Sequence, residues 1–232
     1  MKHKKLSIII PVYNEKNFIF KLLQKVNSVD LGNIKKEIIV IDDYSTDGTR
    51  EILNKKCNNI VDKILFNECN QGKGAALKKG FSHATGDVVI IQDADLEYDP
   101  SEYEKIVTPI FNNETDVVYG SRFLKENQFN IYIQNKIANK FLTHFSNLLT
   151  GYKITDMETC YKAFKADIIK SIDIKENRFG FEPEITAKLS KKNVKLIEVP
   201  ISYYPRTKSE GKKINFKDGI RALYCIIKYG IW

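Results

Sequence analysis

The feature that most constrains the fold is an alternation, over the first 121 residues, of short apolar runs with segments of helical periodicity. The apolar runs cover residues 6–12, 37–41, 60–66, 87–92 and 116–121. Strands that alternate with helices indicate βαβ units, and strands that are apolar throughout are typical of a sheet covered on both faces. We therefore predict an α/β fold with a mainly parallel, twisted sheet flanked by helices.

The segments between these runs predict the helices. Apolar residues recur at helical spacing over residues 18–29 and 74–84. Ser45 is expected to be the N-cap of a helix through residue 53, and Asp99 that of a helix which Pro109 should kink or end. In the second half, helices are predicted over 131–150, 182–192 and 216–232, and a strand over 195–204. No repeat or linker divides the chain, so residues 1–232 are expected to form one domain.

The composition is that of a globular protein. The chain has 37 Lys+Arg and 29 Asp+Glu, a formal net charge of +8, with 43% hydrophobic residues, which argues against disorder. No apolar run reaches the roughly 18 residues of a spanning helix, and the apolar run behind the basic start is short for a signal peptide. We therefore expect a cytoplasmic protein with reduced cysteines. The positive charge suits either a Lys-rich surface or an anionic partner, such as nucleic acid, nucleotide or phospholipid.

Polar side chains gather where the predicted strands end. Residues 11–15, 42–45, 93–97 and 120–122 follow four of the strands and supply at least five carboxylates and one arginine. Ligands of open α/β sheets bind beyond the carboxyl ends of the strands. Carboxylates that converge there would repel one another unless a cation lay among them, so the set predicts a binding site rather than a series of unrelated helix caps.

The triplet Asp93-Ala94-Asp95 is the most specific of these segments. In extended backbone, residues two apart point to the same face, so both carboxylates should face one way, and Glu97 can add a third. Hard oxygen ligands of this kind suit Mg²⁺ or Mn²⁺. The sequence therefore predicts a metal site formed by Asp93, Asp95 and Glu97.

Two familiar phosphate-binding loops are absent from the sequence. The first strand is not followed by G-x-G-x-x-G, and Gly72-Lys73-Gly74 lacks the remaining residues of a P-loop. This stretch has two interpretations of similar weight. It is either a turn that begins a helix, or a site where Lys73 and a helix N-terminus lie near donor phosphates.

Together these segments resemble family 2 glycosyltransferases with the glycosyltransferase A fold, and most of all the dolichyl- and polyprenyl-phosphate mannosyl- or glucosyltransferase group. The resemblance spans nearly the whole chain. It rests on residues 7–15, 40–43, 70–74, 93–96, 120–122, 155–162, 180–184 and 198–201, followed by Arg206 and Lys212. It implies a nucleotide-sugar-binding half, 1–122, and an acceptor half, 123–232, that carries amphipathic helices.

The resemblance also implies roles for individual residues. The positions that it assigns to the nucleoside, the base and the start of the donor triplet are Pro11, Tyr13, Glu15, Ile41, Asp43, Asp93 and Ala94. Asp95 matches the principal metal ligand, and Arg122 an arginine at the sugar donor and acceptor phosphate. Arg206 and Lys212 match basic residues of a loop that closes over the diphosphate, which makes Asp95, Arg122 and Arg206 the expected catalytic residues. The mannosyl enzymes carry Gln where this chain has Glu97, a departure that preserves a possible metal ligand.

The implied function is metal-dependent, inverting transfer of a hexose from UDP-glucose or GDP-mannose type donors to a polyprenyl phosphate. The enzyme would lie at the inner face of the membrane, alone, as a homo-oligomer or with a separate membrane partner. One alternative is transfer to a saccharide or protein hydroxyl in cell-surface glycan synthesis, for which Asp156, Glu182 or Glu184 would be the candidate base. Two others are disfavoured. A nucleotidyltransferase would open with a glycine-rich loop, and in a nucleic-acid-binding protein the carboxylates would repel phosphates.

Overall fold

The computed structural model describes residues 4–124, 133–206 and 216–231. Within them, seven strands form one sheet. The strands are β1 (Lys5–Val12), β2 (Lys35–Asp42), β3 (Lys63–Phe66), β4 (Val88–Ile91), β5 (Val117–Ser121), β6 (Lys162–Lys165) and β7 (Leu196–Pro200). The helices are α1 (Ile19–Ser28), α2 (Thr49–Lys56), α3 (Lys73–His83), α4 (Tyr103–Phe111), α5 (Ile133–Thr150), α6 (Ala166–Lys170), α7 (Phe181–Lys191) and α8 (Phe216–Ile231).

The sheet confirms the predicted α/β architecture. Its order is β3-β2-β1-β4-β6-β5-β7, and every neighbouring pair is parallel except the two that involve β6. The central strand β1 is covered on both faces, since Leu6, Ile8, Ile9 and Ile10 are all fully buried. Helix α3 lies directly on this part of the sheet. A Cβ atom at Gly80 would stand 2.4 Å from Ile9 Cγ2, so only glycine permits the approach.

Strand β6 was missed by the sequence analysis. It has only four residues and carries Lys at both ends, so it lacks the apolar run that identifies the other strands. Its antiparallel direction makes the sheet mixed. The segment is nevertheless buried, because it lies between β4 and β5 in the middle of the sheet.

One predicted helix start is wrong, and of the two effects expected of Pro109, the end of the helix is not found at that residue. Helix α2 begins at Thr49 after Gly48, whose φ is +103°, and the hydroxyl of Ser45 instead accepts a hydrogen bond from the Asn14 N–H. Pro109 lies inside α4, which continues to Phe111. The buried face of α4 continues on both sides of the proline, and this packing holds the helix together. The N-cap prediction for Asp99 is confirmed, since its side chain accepts from the Ser101 N–H in a 3-10 turn before α4.

Candidate active site

The carboxyl ends of β1, β2 and β4 lie at the same edge of the sheet because these strands are parallel and adjacent. Just beyond each strand, one residue adopts a left-handed backbone. Asn14, Tyr44 and Leu96 have φ values of 52°, 66° and 62°. Such a conformation costs a non-glycine residue about 1–2 kcal/mol. Backbone strain is thus concentrated where the sequence predicts binding, as is common at functional sites.

The acidic triplet does not continue the strand. The chain turns after Ile91, and Asp95 Oδ1 accepts a hydrogen bond of 3.1 Å from the Glu97 N–H. The expectation that Asp93, Asp95 and Glu97 share one face of an extended segment is therefore wrong. Asp93 meets Lys73 Nζ at 3.0 Å, whereas Asp95 and Glu97 both face Arg206.

Arg206 lies among three carboxylates, which we call the carboxylate cluster: Glu15, Asp95 and Glu97. Its Nη1 is 2.9 Å from Glu15 Oε2 and its Nη2 is 2.9 Å from Asp95 Oδ2. Its Nε is 3.6 Å from Glu97 Oε1, which also accepts from the Arg206 N–H at 2.8 Å. The Arg206 side chain is only 10% exposed. Converging carboxylates require a cation, and in this structure the Arg206 guanidinium is that cation.

The acidic residues at this site repel one another. Burial and the nearby charges of Asp93 and Glu97 raise the pKa of Asp95 to about 7, although Arg206 acts in the opposite direction. Burial alone would lower the pKa of Arg206, but the charges of Asp95 and Glu15 raise it. Among the described residues, the Arg206 guanidinium therefore offsets only part of the repulsion that Asp95 experiences.

The donor atoms of the cluster suit a hard divalent cation, but their present spacing suits a guanidinium. Mg²⁺ binds carboxylate oxygens at about 2.0–2.1 Å, which is shorter than the 2.9 Å contacts to Arg206. Among the residues that the structure describes, no three Asp, Glu, His or Cys side chains are arranged to hold a metal ion. Asp93, Asp95 and Glu97 would therefore have to rearrange to bind one, with Arg206 displaced.

Asp43 organises the loop that leads into α3. Its Oδ1 accepts from Asn67 Nδ2 at 2.8 Å and from the Gln71 N–H at 2.9 Å. Its Oδ2 accepts from Asn70 Nδ2 at 2.9 Å and from the Gly72 N–H at 2.6 Å. These four bonds fill its acceptor positions, so in this structure Asp43 shapes the loop beside the site.

The remaining positions assigned to the nucleoside differ in their access to the cleft. Tyr13 is 38% exposed at the end of β1, and Pro11 is half-buried within that strand. Ile41 is fully buried and its side chain would be 2.8 Å from a Cβ atom on Gly80, so that side chain belongs to the core, and a contact between Ile41 and a bound base stays a prediction. Ala94 is also buried. Lys212 lies outside the described residues.

Lys73 is the first residue of α3 and bridges two acids. Its Nζ lies 3.0 Å from Asp93 Oδ1 and 3.2 Å from Glu182 Oε1. Burial alone would lower its pKa, but the charges of Asp93 and Glu182 hold it well above the usual range. The structure agrees with a part of each interpretation. A helix begins at Lys73, as the first predicted, and the charged Lys73 side chain lies beside the acidic triplet, as the second predicted. A contact with donor phosphates stays a prediction.

Arg122 follows β5 and forms a two-point ion pair with Asp156. The distances are 2.7 Å from Nε to Oδ2 and 2.8 Å from Nη2 to Oδ1. Asn139 on α5 also donates to Asp156 at 3.0 Å. Burial alone would raise the pKa of Asp156, but Arg122 and these hydrogen bonds lower it. Asp156 thus positions an arginine, which leaves it poorly suited to act as a base.

The other two candidate bases are also engaged. Glu184 accepts from the N–H groups of Lys175 and Glu176 at 2.7 Å and pairs with Lys188. One oxygen of Glu182 pairs with Lys73. The contacts of Glu184 therefore give it a structural role. In Glu182, one carboxylate oxygen is engaged by Lys73.

Glu158 was missed as a site residue by the sequence analysis. Its Oε1 is buried without a hydrogen-bond partner, as is Oε2 of Glu182. Burial and the charge of Glu182 raise the pKa of Glu158 to about 8. The nearby Lys162 has its pKa lowered to about 8 by burial. The sequence shows only that Glu158 follows Asp156 by two residues. The burial of its Oε1 depends on the tertiary fold and could not be predicted from the sequence.

The family model of glycosyl transferase family 2 matches residues 7–173, which is well over half of the chain. The chain belongs to this family. It is a glycosyltransferase, as the sequence motifs predicted. The strand ends that carry the carboxylate cluster residues Glu15, Asp95 and Glu97 lie within the matched segment, while Arg206 lies beyond it.

Two curated proteins align along almost the whole of this glycosyltransferase. Uncharacterized protein MJ1222 of Methanocaldococcus jannaschii is 31% identical over 97% of this chain and 92% of its own length. The dolichol-phosphate mannosyltransferase of Pyrococcus furiosus is 28% identical over 97% of this chain. The chain spans only 64% of the length of that mannosyltransferase.

Solved structures confirm the glycosyltransferase A fold. Glucosyl-3-phosphoglycerate synthase from Mycobacterium tuberculosis, in complex with Mn²⁺, UDP and phosphoglyceric acid, superposes with a TM-score of 0.74 over 98% of this chain and 79% of its own. The same enzyme in complex with Mg²⁺ and UDP gives a TM-score of 0.70, with 97% and 79% covered. Sequence identity is 15% and 14%, so the likeness concerns the fold alone.

Proposed function

We propose that this enzyme transfers a hexose from a nucleotide sugar to a polyprenyl phosphate, with inversion at the anomeric carbon and dependence on Mg²⁺ or Mn²⁺. The observation that carries the proposal is the carboxylate cluster with its buried arginine at the carboxyl ends of the strands. The relative named a dolichol-phosphate mannosyltransferase supports the choice of acceptor. Residues 1–122 would bind the donor and 123–232 the acceptor, within one domain.

The donor half supplies the charges that a diphosphate leaving group needs. Asp95 and Glu97, with Asp93 beside them, would hold the divalent ion, which stabilises negative charge on a diphosphate when bound. Arg206 is within reach of the same place and can make charge-assisted hydrogen bonds to phosphate oxygens. Tyr13 offers an exposed ring at the end of β1 for contact with the nucleoside.

The acceptor half supplies an oriented arginine. Asp156 holds the guanidinium of Arg122 at two points, so its remaining N–H groups have a fixed direction. A phosphate monoester has a second pKa of about 6 and is largely ionised at neutral pH, so it attacks without a general base. Arg122 would orient this phosphate opposite the departing diphosphate, a geometry that gives inversion.

Two neighbouring helices present an apolar surface that suits a peripheral membrane enzyme. The exposed apolar side chains of α5 and α8 are Ile137, Phe141, Leu148, Ile220, Tyr224, Ile227 and Ile231. Exposed lysines accompany them on α5. Among the described residues, no helix has both the length and the apolar character needed to cross a bilayer. We propose that this surface lies on anionic lipid at the inner face of the membrane, where the acceptor phosphate is found.

Flotation with vesicles tests this membrane proposal. The protein should float with vesicles that contain anionic lipid and much less with neutral ones. The pair Lys136→Glu and Lys140→Glu on α5 should weaken binding. The pair Lys55→Glu and Lys56→Glu, which makes the same charge change on α2, should not. Equal binding by both pairs would contradict docking through α5. A requirement for a second membrane protein would show as flotation only in its presence.

A second acceptor class is favoured by one observation, the buried carboxyl of Glu158 without a hydrogen-bond partner on Oε1. A carboxyl with a pKa of about 8 suits the proton transfer that a hydroxyl acceptor requires. If the acceptor is a saccharide or protein hydroxyl, Glu158→Gln should therefore abolish turnover. With a polyprenyl phosphate acceptor, the same variant should keep most of its turnover.

The proposal is tested by incubating the protein with Mg²⁺ or Mn²⁺, dolichyl or undecaprenyl phosphate, and UDP-, GDP- and dTDP-sugars in turn. One donor should give a lipid-linked sugar that partitions into organic solvent. A control without lipid phosphate should give none. Sugar transferred only to a water-soluble hydroxyl acceptor, in parallel assays, would overturn the choice of acceptor.

A further inference from the structure

The segment after β7 lies over the acidic triplet. Ile201 remains joined to β5, since its N–H donates to the Ser121 carbonyl at 3.0 Å. The following residues turn to Glu97: Tyr203 Oη donates to its Oε2 at 2.8 Å, and the Tyr204 N–H donates to its carbonyl at 2.9 Å. This path delivers Arg206 to the site.

Arg206 joins parts of the chain that are far apart in sequence. It pairs with Glu15 after β1 and with Asp95 after β4, 191 and 111 residues away. Its backbone N–H adds a bond to Glu97 Oε1. Oxygens of the carboxylate cluster therefore hold Arg206 over the site, while Ser202, earlier in the segment, is bonded to Glu102 through its N–H and its hydroxyl.

A divalent cation would need some of the same oxygens. A metal ion requires carboxylate oxygens at about 2.0–2.2 Å, whereas the guanidinium holds them at 2.9 Å. A guanidinium and a metal ion also repel each other. Because both cations draw on the negative charge of Asp95 and repel each other at this distance, binding of one should loosen the other.

We propose that Arg206 is an internal cation that closes the donor site in the donor-free enzyme, and that a divalent metal exchanges with it. Displacement breaks the bonds between Arg206 and the carboxylate cluster, opens the segment 203–206 and frees the guanidinium for the donor diphosphate. This inference rests on the metal dependence of the proposed function. It predicts that metal alone binds weakly and that metal and nucleoside diphosphate bind cooperatively, because the diphosphate gives Arg206 a new partner.

Hydrogen exchange in the unmodified protein tests the displacement without any assay of transfer. Added Mn²⁺ should accelerate exchange of the Arg206 amide, because its acceptor Glu97 Oε1 is withdrawn. The Ile201 amide, bonded within the sheet, is the internal control and should not change. A matched concentration of NaCl should have no effect. Unchanged or slower exchange at Arg206 while Mn²⁺ is bound would overturn the proposal.

A titration of Mn²⁺ in the absence of nucleotide tests the competition itself. Arg206→Gln should bind Mn²⁺ about tenfold or more tightly than the parent protein, because the competing contact is removed. Arg221→Gln makes the same charge change at an ion pair with Glu176, which is not part of the carboxylate cluster, and should bind like the parent. Adding Asp95→Asn to Arg206→Gln should abolish the gain.

The outcomes separate this inference from the proposed function. Tighter Mn²⁺ binding by Arg206→Gln, with no lipid-linked sugar formed by the parent protein, would support the exchange and refute the acceptor. Lipid-linked sugar formed by the parent, with Mn²⁺ affinity unchanged or lowered in Arg206→Gln, would refute the exchange alone. If Arg206→Gln does not fold, as judged by circular dichroism, the hydrogen exchange of the parent protein decides.

Discussion

Two acidic residues at opposite ends of the same sheet have pKa values that are shifted in opposite directions. Glu37, in the amino-terminal half of β2, is 3% exposed and accepts from Ser7 Oγ at 2.5 Å and from the Thr85 N–H at 2.8 Å. Thr85 Oγ1, Lys5 Nζ and Lys63 Nζ also donate to it, at 2.7, 3.2 and 3.5 Å. Burial alone would raise the pKa of Glu37, but these bonds lower it to about 2.

Asp95 lies beyond the carboxyl end of β4, and its pKa is raised instead of lowered. Burial and the charges of Asp93 and Glu97 raise its pKa to about 7. Both residues are acidic and little exposed, so the difference lies in their neighbours. Hydrogen-bond donors surround Glu37, whereas Asp95 has the acids Asp93 and Glu97 beside its donors, Arg206 and the Glu97 N–H. The amino end of the sheet is organised for stability, while the carboxyl end keeps negative charge that a cationic ligand can use.

The largest effect should follow a change at the carboxyl end. Asp95→Asn should lower kcat/KM for sugar transfer at least about 10³-fold, because a ligand of the divalent ion and a partner of Arg206 is lost. Its Tm should not fall, since one of several repelling charges is removed. Asp116→Asn, at the more exposed ion pair with Lys165, is the control and should keep its activity. A fully active Asp95→Asn enzyme would contradict the assignment.

The corresponding change at the amino end should affect stability alone. Glu37→Gln should lower the free energy of unfolding by about 2–3 kcal/mol, because charge-assisted bonds from Ser7, Thr85 and Lys5 are lost in a buried place. Urea denaturation measures this loss. The kcat/KM of the folded fraction should match that of the parent. If Glu37→Gln were as stable as the parent, or folded but inactive, the proposed division between a stabilising amino end and a functional carboxyl end of the sheet would be wrong.

The pH dependence of unfolding sharpens the same contrast. The pKa of Glu37 is about 2 in the folded protein and near 4.3 in an unfolded chain. Its contribution is therefore fully present above about pH 4.5 and is lost as the pH falls towards 2. Glu37→Gln should lose less stability than the parent between pH 4.5 and 2. Parallel stability curves for the two proteins would show that Glu37 makes no such contribution.

The smallest effect should come from Glu158, a half-buried acid whose Oε1 is shielded from water and whose pKa is raised to about 8. A raised carboxyl pKa costs stability as the pH rises from the unfolded value towards the folded value. Glu158→Gln should therefore stabilise the protein by about 1 kcal/mol at pH 8 and by much less at pH 5. Thermal melts of variant and parent at both pH values measure this. A gain that is greatest at pH 5 would contradict the assigned direction.

Much of the donor half could be predicted because its strands are short apolar runs whose ends carry the polar motifs. Because β1, β2 and β4 are adjacent and parallel, their carboxyl ends, with these motifs, lie at the same edge of the sheet. Strand β6 escaped detection because it is short and begins and ends with lysine, and one of these lysines, Lys162, is nevertheless buried. Ser45 was misassigned because a glycine, Gly48, with a left-handed backbone offers the chain a later helix start.

Within the site, the sequence predicted which residue types converge but not how they pair. The turn after Ile91 separates Asp93 from Asp95 and Glu97, which no local pattern indicates. The pairing of Arg206 with Glu15 and Asp95 depends on contacts across 191 and 111 residues. Such pairings follow from the tertiary fold, as does the burial that changes the pKa of Glu158.

The measurement that tests the account most directly is the transfer of a labelled hexose to polyprenyl phosphate by the parent protein, with Mn²⁺ or with a chelator. Metal-dependent transfer predicts label in the organic phase with Mn²⁺, none with the chelator, and none with Asp95→Asn under either condition. Organic-phase product that forms equally well in the presence of the chelator, or by Asp95→Asn, would contradict it.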